Sequence, residues 1–246
     1  MSEKITRTYA DLIRALLDKL EKTQSENIGL ACSAAADALQ NGGMIYAFGT
    51  GHSHMLAEEL FYRAGGLVRV VPVFDDPLML HVGASRSSEI ERLPGYAATL
   101  FGQWRDPKKN DVFFIFSNSG RNAVPVEAAL EMKARGVKTV AVTNLAHSRA
   151  SASRHDSGKR LFEICDIVID NGGCVGDAAL DIGGSVCGAT STVIGAAIVQ
   201  MIACGTVDEL IQRGVEPEVF KSSNVDGGDE INHEYIKKYQ KEIPIL

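Results

Sequence analysis

Leu12, Ile13, Leu16, Leu17 and Leu20 recur at the spacing of one helical face, so the chain opens on an amphipathic helix. A second helix is expected over residues 25–39, where Ala34, Ala35 and Ala38 would let another helix approach closely. Asn41-Gly42-Gly43 stops it. The pattern then changes to short apolar runs at residues 44–48, 67–74, 111–116, 137–144 and 167–173, each read as a strand. Helical spacing follows the first run, closing at Gly65-Gly66, and returns over residues 122–135 and 185–213. Strands alternating with helices imply a parallel sheet covered on both faces. Residues 75–104 and 144–160 read as polar, turn-rich loops, and loops of that length inside compact domains are usually functional. A glycine-acid turn and a short charged helix close the tail.

Two of the strand ends are alike. The segments YAFGTGHSHMLAEEL and FIFSNSGRNAVPVEAAL both run from strand through small polar residues directly into a helix. Open α/β sheets collect ligands at the carboxyl ends of their strands. Unpaired N–H groups at a helix start, joined by serine hydroxyls, suit a phosphate ester. The GTGHS turn has His54 where the dinucleotide pattern would close on glycine, and it lacks the lysine of a P-loop, so neither common nucleotide motif is met. For either turn alone the competing reading is a plain helix cap, with Ser53 or Ser119 bonding its own first-turn amides. Two such turns in one sheet favour an anion site.

Composition narrows the partners. The 246 residues are 45 % apolar with 24 glycines, enough for a continuous core, and no compositional break marks a linker. One domain is expected, with opening helices over about 7–40, a core over about 42–213 and a tail from 214 to 246. A net charge of −6 with dispersed Lys and Arg argues against nucleic acid or an anionic membrane surface as partner. No run reads as a bilayer span, and the charged start is no signal peptide. Five cysteines without paired spacing read as free, mostly buried thiols, consistent with the cytoplasm. No metal-ligand spacing is present.

The segments GTGHSHMLAEEL and FSNSGRNAVPVEAALEMKARGVKTVAVTN resemble the two signature segments of the sugar isomerase (SIS) phosphosugar-binding domain, over roughly residues 25–212. The whole chain is similar to an uncharacterised bacterial subgroup of single SIS-domain proteins related to phosphoheptose isomerases. The resemblance implies a three-layer αβα sandwich around a five-stranded parallel sheet, with an N-terminal helix pair. It implies phosphosugar contacts at Gly51, Ser53 and His54 in the first turn and at Ser117, Asn118, Ser119, Gly120 and Asn122 in the second. Asn122 stands where many members have threonine and can cap the helix or donate a bond. A homodimer or homotetramer, with the site completed by a neighbouring subunit, is also implied, and no cofactor.

Aldose–ketose isomerisation needs a base for the proton α to the carbonyl and an acid for the oxygens of the enediol. From spacing alone, Glu58 and Glu59 read as solvated helix carboxylates; the resemblance maps the second glutamate of Ala-Glu-Glu-Leu, Glu59, onto that base. The acid does not carry over. The late helix has no histidine, and the position of a zinc-binding histidine is Met55. His54, His81, His155 and His233 are loop candidates without a pattern to choose among them. Three functions stay open: an isomerase, a lyase or etherase acting on an amino-sugar phosphate, and a phosphosugar sensor without turnover.

Overall fold

The computed structural model describes residues 2–101 and 106–246, so residues 102–104 of the loop expected over 75–104 lie outside the described residues. Five short strands form one parallel sheet: β1 (Ile45–Gly49), β2 (Val70–Pro72), β3 (Val112–Phe116), β4 (Lys138–Thr143) and β5 (Ile167–Asp170). Their order is β2-β1-β3-β4-β5. All five residues of β3, VFFIF, are buried, as a strand covered on both faces requires. Successive side chains point to opposite faces, and the core divides accordingly. Ile45, Ala47, Val112, Phe114 and Phe116 face one layer. Tyr46, Phe48, Phe113 and Ile115 face the other. The result is the three-layer α/β sandwich expected from the sequence.

The first layer holds α1 (Ser2–Gln40), α2 (His54–Leu60) and α6 (Ser191–Gln212). A pair of opening helices was expected, but α1 is a single helix of 39 residues. The polar stretch that reads as a break carries the helix instead. Thr23 Oγ1 donates to the Lys19 carbonyl at 2.8 Å, and the Ser25 hydroxyl bonds back to the Glu21 carbonyl. Gln24 Oε1 also accepts from the amide of Asp170 at 3.0 Å, tying the middle of α1 to the end of β5. Further along, Ala31, Cys32 and Ala35 are buried, and a Cβ on Gly205 of α6 would lie 2.5 Å from Cys32 Sγ, so α1 and α6 can be this close only without a side chain there.

At 1.5 Å per residue, α6 spans about 33 Å. With 22 residues and a mean hydropathy of 1.6 over its most apolar 18-residue stretch it is long and apolar enough to cross a bilayer, contrary to the expectation that no run reaches that length. Its Ile194, Ile198, Val199, Ile202 and Leu210 are buried in the layer with α1 and α2, which is the reason for its composition.

The opposite layer is built on α4 (Ala123–Ala134), with Ile243 from the tail buried in the same cluster. The loop region holds α3 (Leu80–Ile90), kinked at Gly83, between short 3-10 turns. A five-residue helix, α5 (Leu145–Arg149), follows β4.

The helix expected over 185–213 begins late. Before it stands an antiparallel hairpin, β6 (Ala178–Ile182) and β7 (Ser185–Ala189), turned by Gly183 and Gly184 with φ of 63° and 90°. Two adjacent residues at positive φ are what a two-residue hairpin loop demands, and glycine meets the demand without a Cβ clash. The tail helix α7 (Gly228–Tyr239) docks on its own chain through Lys238 and Tyr239, which donate to Glu218 at 2.6 and 2.5 Å. The cysteines are all free, but only Cys32 is buried; Cys165 and Cys174 are half-buried, and Cys187 and Cys204 lie exposed on the hairpin and α6.

Candidate functional site

β1 and β3 are neighbours, Gly49 pairing with Phe116 at their carboxyl ends. After β1 the chain turns to one side of the sheet and after β3 to the other, so the loops leaving these two strands part and open a crevice. A cleft of about 290 Å³ occupies it. Gly51, His52 and Ser53 line it from the first loop, and Ser117, Asn118, Ser119 and Asn122 from the second. A narrow extension brings Ser53 and Asn118 together with Asn171, Ser191 and Thr192. The two turns picked out in the sequence therefore share one pocket.

Their serines are not spent on capping. Neither Ser53 at the start of α2 nor Asn122 at the start of α4 makes a side-chain cap bond, and among the described residues no hydrogen bond occupies the hydroxyls of Ser53 or Ser119. Ser117 Oγ accepts from the amide of Gly120 at 3.2 Å, which holds the second turn closed. Asn118 is fixed from both ends: its carbonyl accepts from the amide of Asn144 at 3.0 Å, and its Oδ1 from Asn171 Nδ2 at 2.8 Å. That leaves the Asn118 amide NH2 as a donor for the cleft.

The segment from residue 8 to residue 144, which spans both turns, matches the model of the SIS domain. The chain belongs to the SIS-domain family. It is 47 % identical over 240 residues to a UPF0309 protein of Geobacillus thermodenitrificans, covering 97 % of this chain and 96 % of that one. A UPF0309 protein of Listeria innocua is 41 % identical over 243 residues, with 97 % of each chain covered. Among solved structures, a phosphoheptose isomerase from Francisella tularensis superposes with a TM-score of 0.55 at 17 % identity, over 86 % of this chain and 99 % of that one. The sugar isomerase domain of an RpiR transcription factor from Sphaerobacter thermophilus gives 0.50 at 15 % identity over 98 % of both chains. At these identities the likeness shows a shared fold.

Within this SIS domain, two of the expected contact residues, His54 and Gly120, serve the turns rather than the cleft surface, and a third, Asn122, is tied up by its neighbours. His54 is buried, its Nδ1 against the carbonyl of Gly51, and is not part of the lining. Gly120 is buried at φ 58°, where a Cβ would come within 3.1 Å of Leu161 Cβ and Thr143 Oγ1, so glycine is the residue that fits. Asn122 lines the cleft, but both ends of its amide are engaged: Nδ2 donates to Glu91 Oε1 at 2.6 Å, and Oδ1 accepts from Arg154 Nη1 at 2.9 Å.

Glu59 lies on α2 outside the cleft lining, accepting from Gln200 Nε2 of α6 at 2.8 Å and pairing with Arg63 at 2.6 Å. Glu58 is exposed beside His54. Of the loop histidines offered as acids, His81 stacks obliquely near His54, and His155 sits 3.7 Å from Glu127. The histidines that do line the cleft are His52 and His147.

Sequence reasoning had not picked out the far wall. His147, Gly176 and Asp177 form it, with His147 Nδ1 accepting from the amide of Gly176 at 3.0 Å. Leu80, Ser88 and Glu91 come from α3 and its end. The long polar loops flagged in the sequence supply His147, Leu80, Ser88 and Glu91, while Gly176 and Asp177 follow β5 outside them; nothing in the loop spacing separates Glu91 from its exposed neighbours. Among the described residues no three His, Cys, Asp or Glu side chains group to hold a metal ion.

Proposed function

We propose that this SIS domain binds a phosphorylated sugar in the cleft and interconverts its aldose and ketose forms. The observation that carries the binding is the meeting of two serine turns, with the hydroxyls of Ser53 and Ser119 unbonded, on one pocket at the switch point of the sheet. Neutral donors and backbone amides suit a doubly charged ester in a chain of net charge −6. Glu59 is the base that the family pattern offers. Its carboxylate is held by Gln200, so it reaches a bound sugar through a change in that pairing or in a site that a second copy completes. The exposed Leu30 of α1, Met55 of α2 and Val193 and Met201 of α6 support such pairing, as a homodimer or homotetramer. The free cysteines fit a cytoplasmic protein acting as one domain.

The second reading is a phosphosugar sensor without turnover. The position of Glu59 away from the cleft favours it. A lyase or etherase reaction on an amino-sugar phosphate also begins by α-proton removal and shares the first step.

Thermal shift with fructose, glucosamine and sedoheptulose, each with and without its terminal phosphate, tests the binding. The esters are expected to raise the melting temperature and the free sugars are not. Ser119→Ala is expected to weaken the best ester by about 1–3 kcal/mol in calorimetry, the size of one hydrogen bond to a charged group. Equal shifts from phosphorylated and free sugars would end the phosphate argument. Among esters that bind, the absence of any deuterium uptake from D2O at the carbon beside the carbonyl would select the sensor.

A further inference from the structure

Two carboxylates line the cleft, Glu91 and Asp177. Asp177 is spent: its oxygens accept four hydrogen bonds from Thr190 and Ser191 at the start of α6. Glu91 is held differently. It stands at the end of α3, fixed to the first turn of α4 by its own carbonyl, which accepts from the amide of Val124 at 3.1 Å. Thr50 Oγ1, from the first turn, donates to Oε2 at 2.7 Å, and Asn122 Nδ2, from the second, donates to Oε1 at 2.6 Å. Thr50 and Asn122 are themselves buried. One carboxyl group is thus gripped by both phosphate turns at once, on the floor between them. Behind Asn122, Arg154 completes the chain of donors.

The charge state follows from competing effects. Burial pushes the Glu91 carboxyl above the usual carboxylate range, while the bond from Thr50 and the nearby Arg92 and Arg154 pull the other way and do not cancel it. A carboxyl group in that condition keeps its proton more readily than a solvated one, which suits handing it to a sugar oxygen. Its two partners are neutral, and the threonine hydroxyl can turn from donor to acceptor as the proton moves.

Resting on the phosphosugar-isomerase reading above, we propose that Glu91 is the general acid of this cleft, serving the oxygens of the enediol. As the base removes the hydrogen α to the carbonyl, the C–H pair becomes the C=C bond and the carbonyl π pair moves to oxygen. That oxygen takes the proton of Glu91. The Glu91 carboxylate then accepts the proton of the neighbouring hydroxyl while a carbonyl forms there, and the base returns hydrogen to the other carbon. No oxidant or further reactant is needed. Glu91 thereby supplies the function for which the sequence offers no patterned histidine.

The test uses the full chain with fructose 6-phosphate, glucosamine 6-phosphate and sedoheptulose 7-phosphate as probes. Glu91→Gln is expected to bind the preferred ester within about threefold of wild type and to lower deuterium uptake from D2O by about 10²–10⁴-fold. Thr50→Val removes the bond that favours the ionised form, so the alkaline fall in exchange rate, where Glu91 loses its proton, should move to higher pH. Thermal melts give an activity-independent readout. A carboxyl raised by folding stabilises the native state below its unfolded pKa and loses that stabilisation as pH rises through the folded value. The melting temperature of wild type should therefore fall relative to Glu91→Gln over that window.

Exchange by Glu91→Gln within threefold of wild type would overturn the proposal and leave the isomerase reading standing. So would loss of exchange in His147→Asn but not in Glu91→Gln. Binding of esters without exchange by wild type would remove turnover and Glu91's role together, while no binding of any ester would remove the phosphosugar reading itself. If Glu91→Gln does not fold, an alkaline limb unmoved in Thr50→Val overturns the assignment.

Discussion

Asp177→Ala is expected to destabilise the chain by about 3 kcal/mol, the range for removing a charged acceptor from several donors. Asp177 Oδ1 accepts from the amide and hydroxyl of Thr190 at 3.0 and 3.1 Å and from the amide of Ser191 at 2.9 Å, and Oδ2 accepts from Ser191 Oγ at 2.5 Å. The residue thus caps α6 from outside the helix and sets a negative charge at the positive end of a 22-residue dipole. Thr190 is fully buried, so its orphaned donors would not find water easily. Asp177 also sits at φ 62°, a region that aspartate tolerates better than alanine. For a chain of this size each kcal/mol is worth roughly 2–4 °C, so the melting temperature should fall by about 6–12 °C. Because Gly176 and Asp177 form the far wall of the cleft, ester affinity should fall as well. Asp177→Asn, which keeps one acceptor and the backbone preference, should lose about half as much. A drop below 2 °C for the alanine variant would mean that the four bonds are exchanged for water without cost.

The same aspartate marks a boundary of what the sequence discloses. The five sheet strands were legible because each is an apolar run bounded by glycine, asparagine or serine, and because parallel strands covered on both faces need no alternation. The pairing of the two turns was legible because both follow such runs directly. The hairpin that brings Asp177 to α6 was hidden by its neighbour: residues 178–189 are small and partly apolar, and they merge into the helical spacing that begins at Ser191. The signal available was Gly183-Gly184 between two five-residue segments. The break expected between residues 20 and 25 failed for the opposite reason. Polar residues without glycine or proline do not end a helix when their hydroxyls can bond the preceding turn.

Glu91 illustrates a deeper limit. Its partner Thr50 is 41 residues away and Asn122 is 31 residues away, so no local spacing could connect them. Only the sheet order, which sets β1 beside β3, brings the ends of both loops to the end of α3. Asn122 shows how the fold can also reassign a residue. It occupies the backbone position of a helix cap, as its place in the sequence suggests, yet its side chain links Glu91 to Arg154 instead of bonding the helix amides. Type and position were readable; the partner was not.

Gly49→Ala should be the most disruptive single methyl group in the molecule's site. Gly49 ends β1 and hydrogen-bonds in register beside Phe116 of β3, so its Cα is fixed by the sheet. A Cβ there would lie 2.4 Å from the carbonyl oxygen of Ser53, 2.5 Å from its carbon and 2.9 Å from the amide of His54. All three are backbone atoms at the start of α2, and none can rotate away. Either the strand end or the whole first turn must move. Overpacking of this kind costs about 1–3 kcal/mol where side chains can adjust, and backbone against backbone puts Gly49→Ala at the upper end or beyond it. The melting temperature should drop by about 6 °C or more. Binding should suffer beyond what stability accounts for, because Ser53 would shift away from Asn118 across the narrow part of the cleft. Calorimetry well below the melting transition separates the two effects: folded Gly49→Ala should bind sugar esters at least tenfold more weakly than wild type. Wild-type affinity in a folded variant would show that the first turn is not part of the ester site, and with it would fall the convergence on which the functional reading stands.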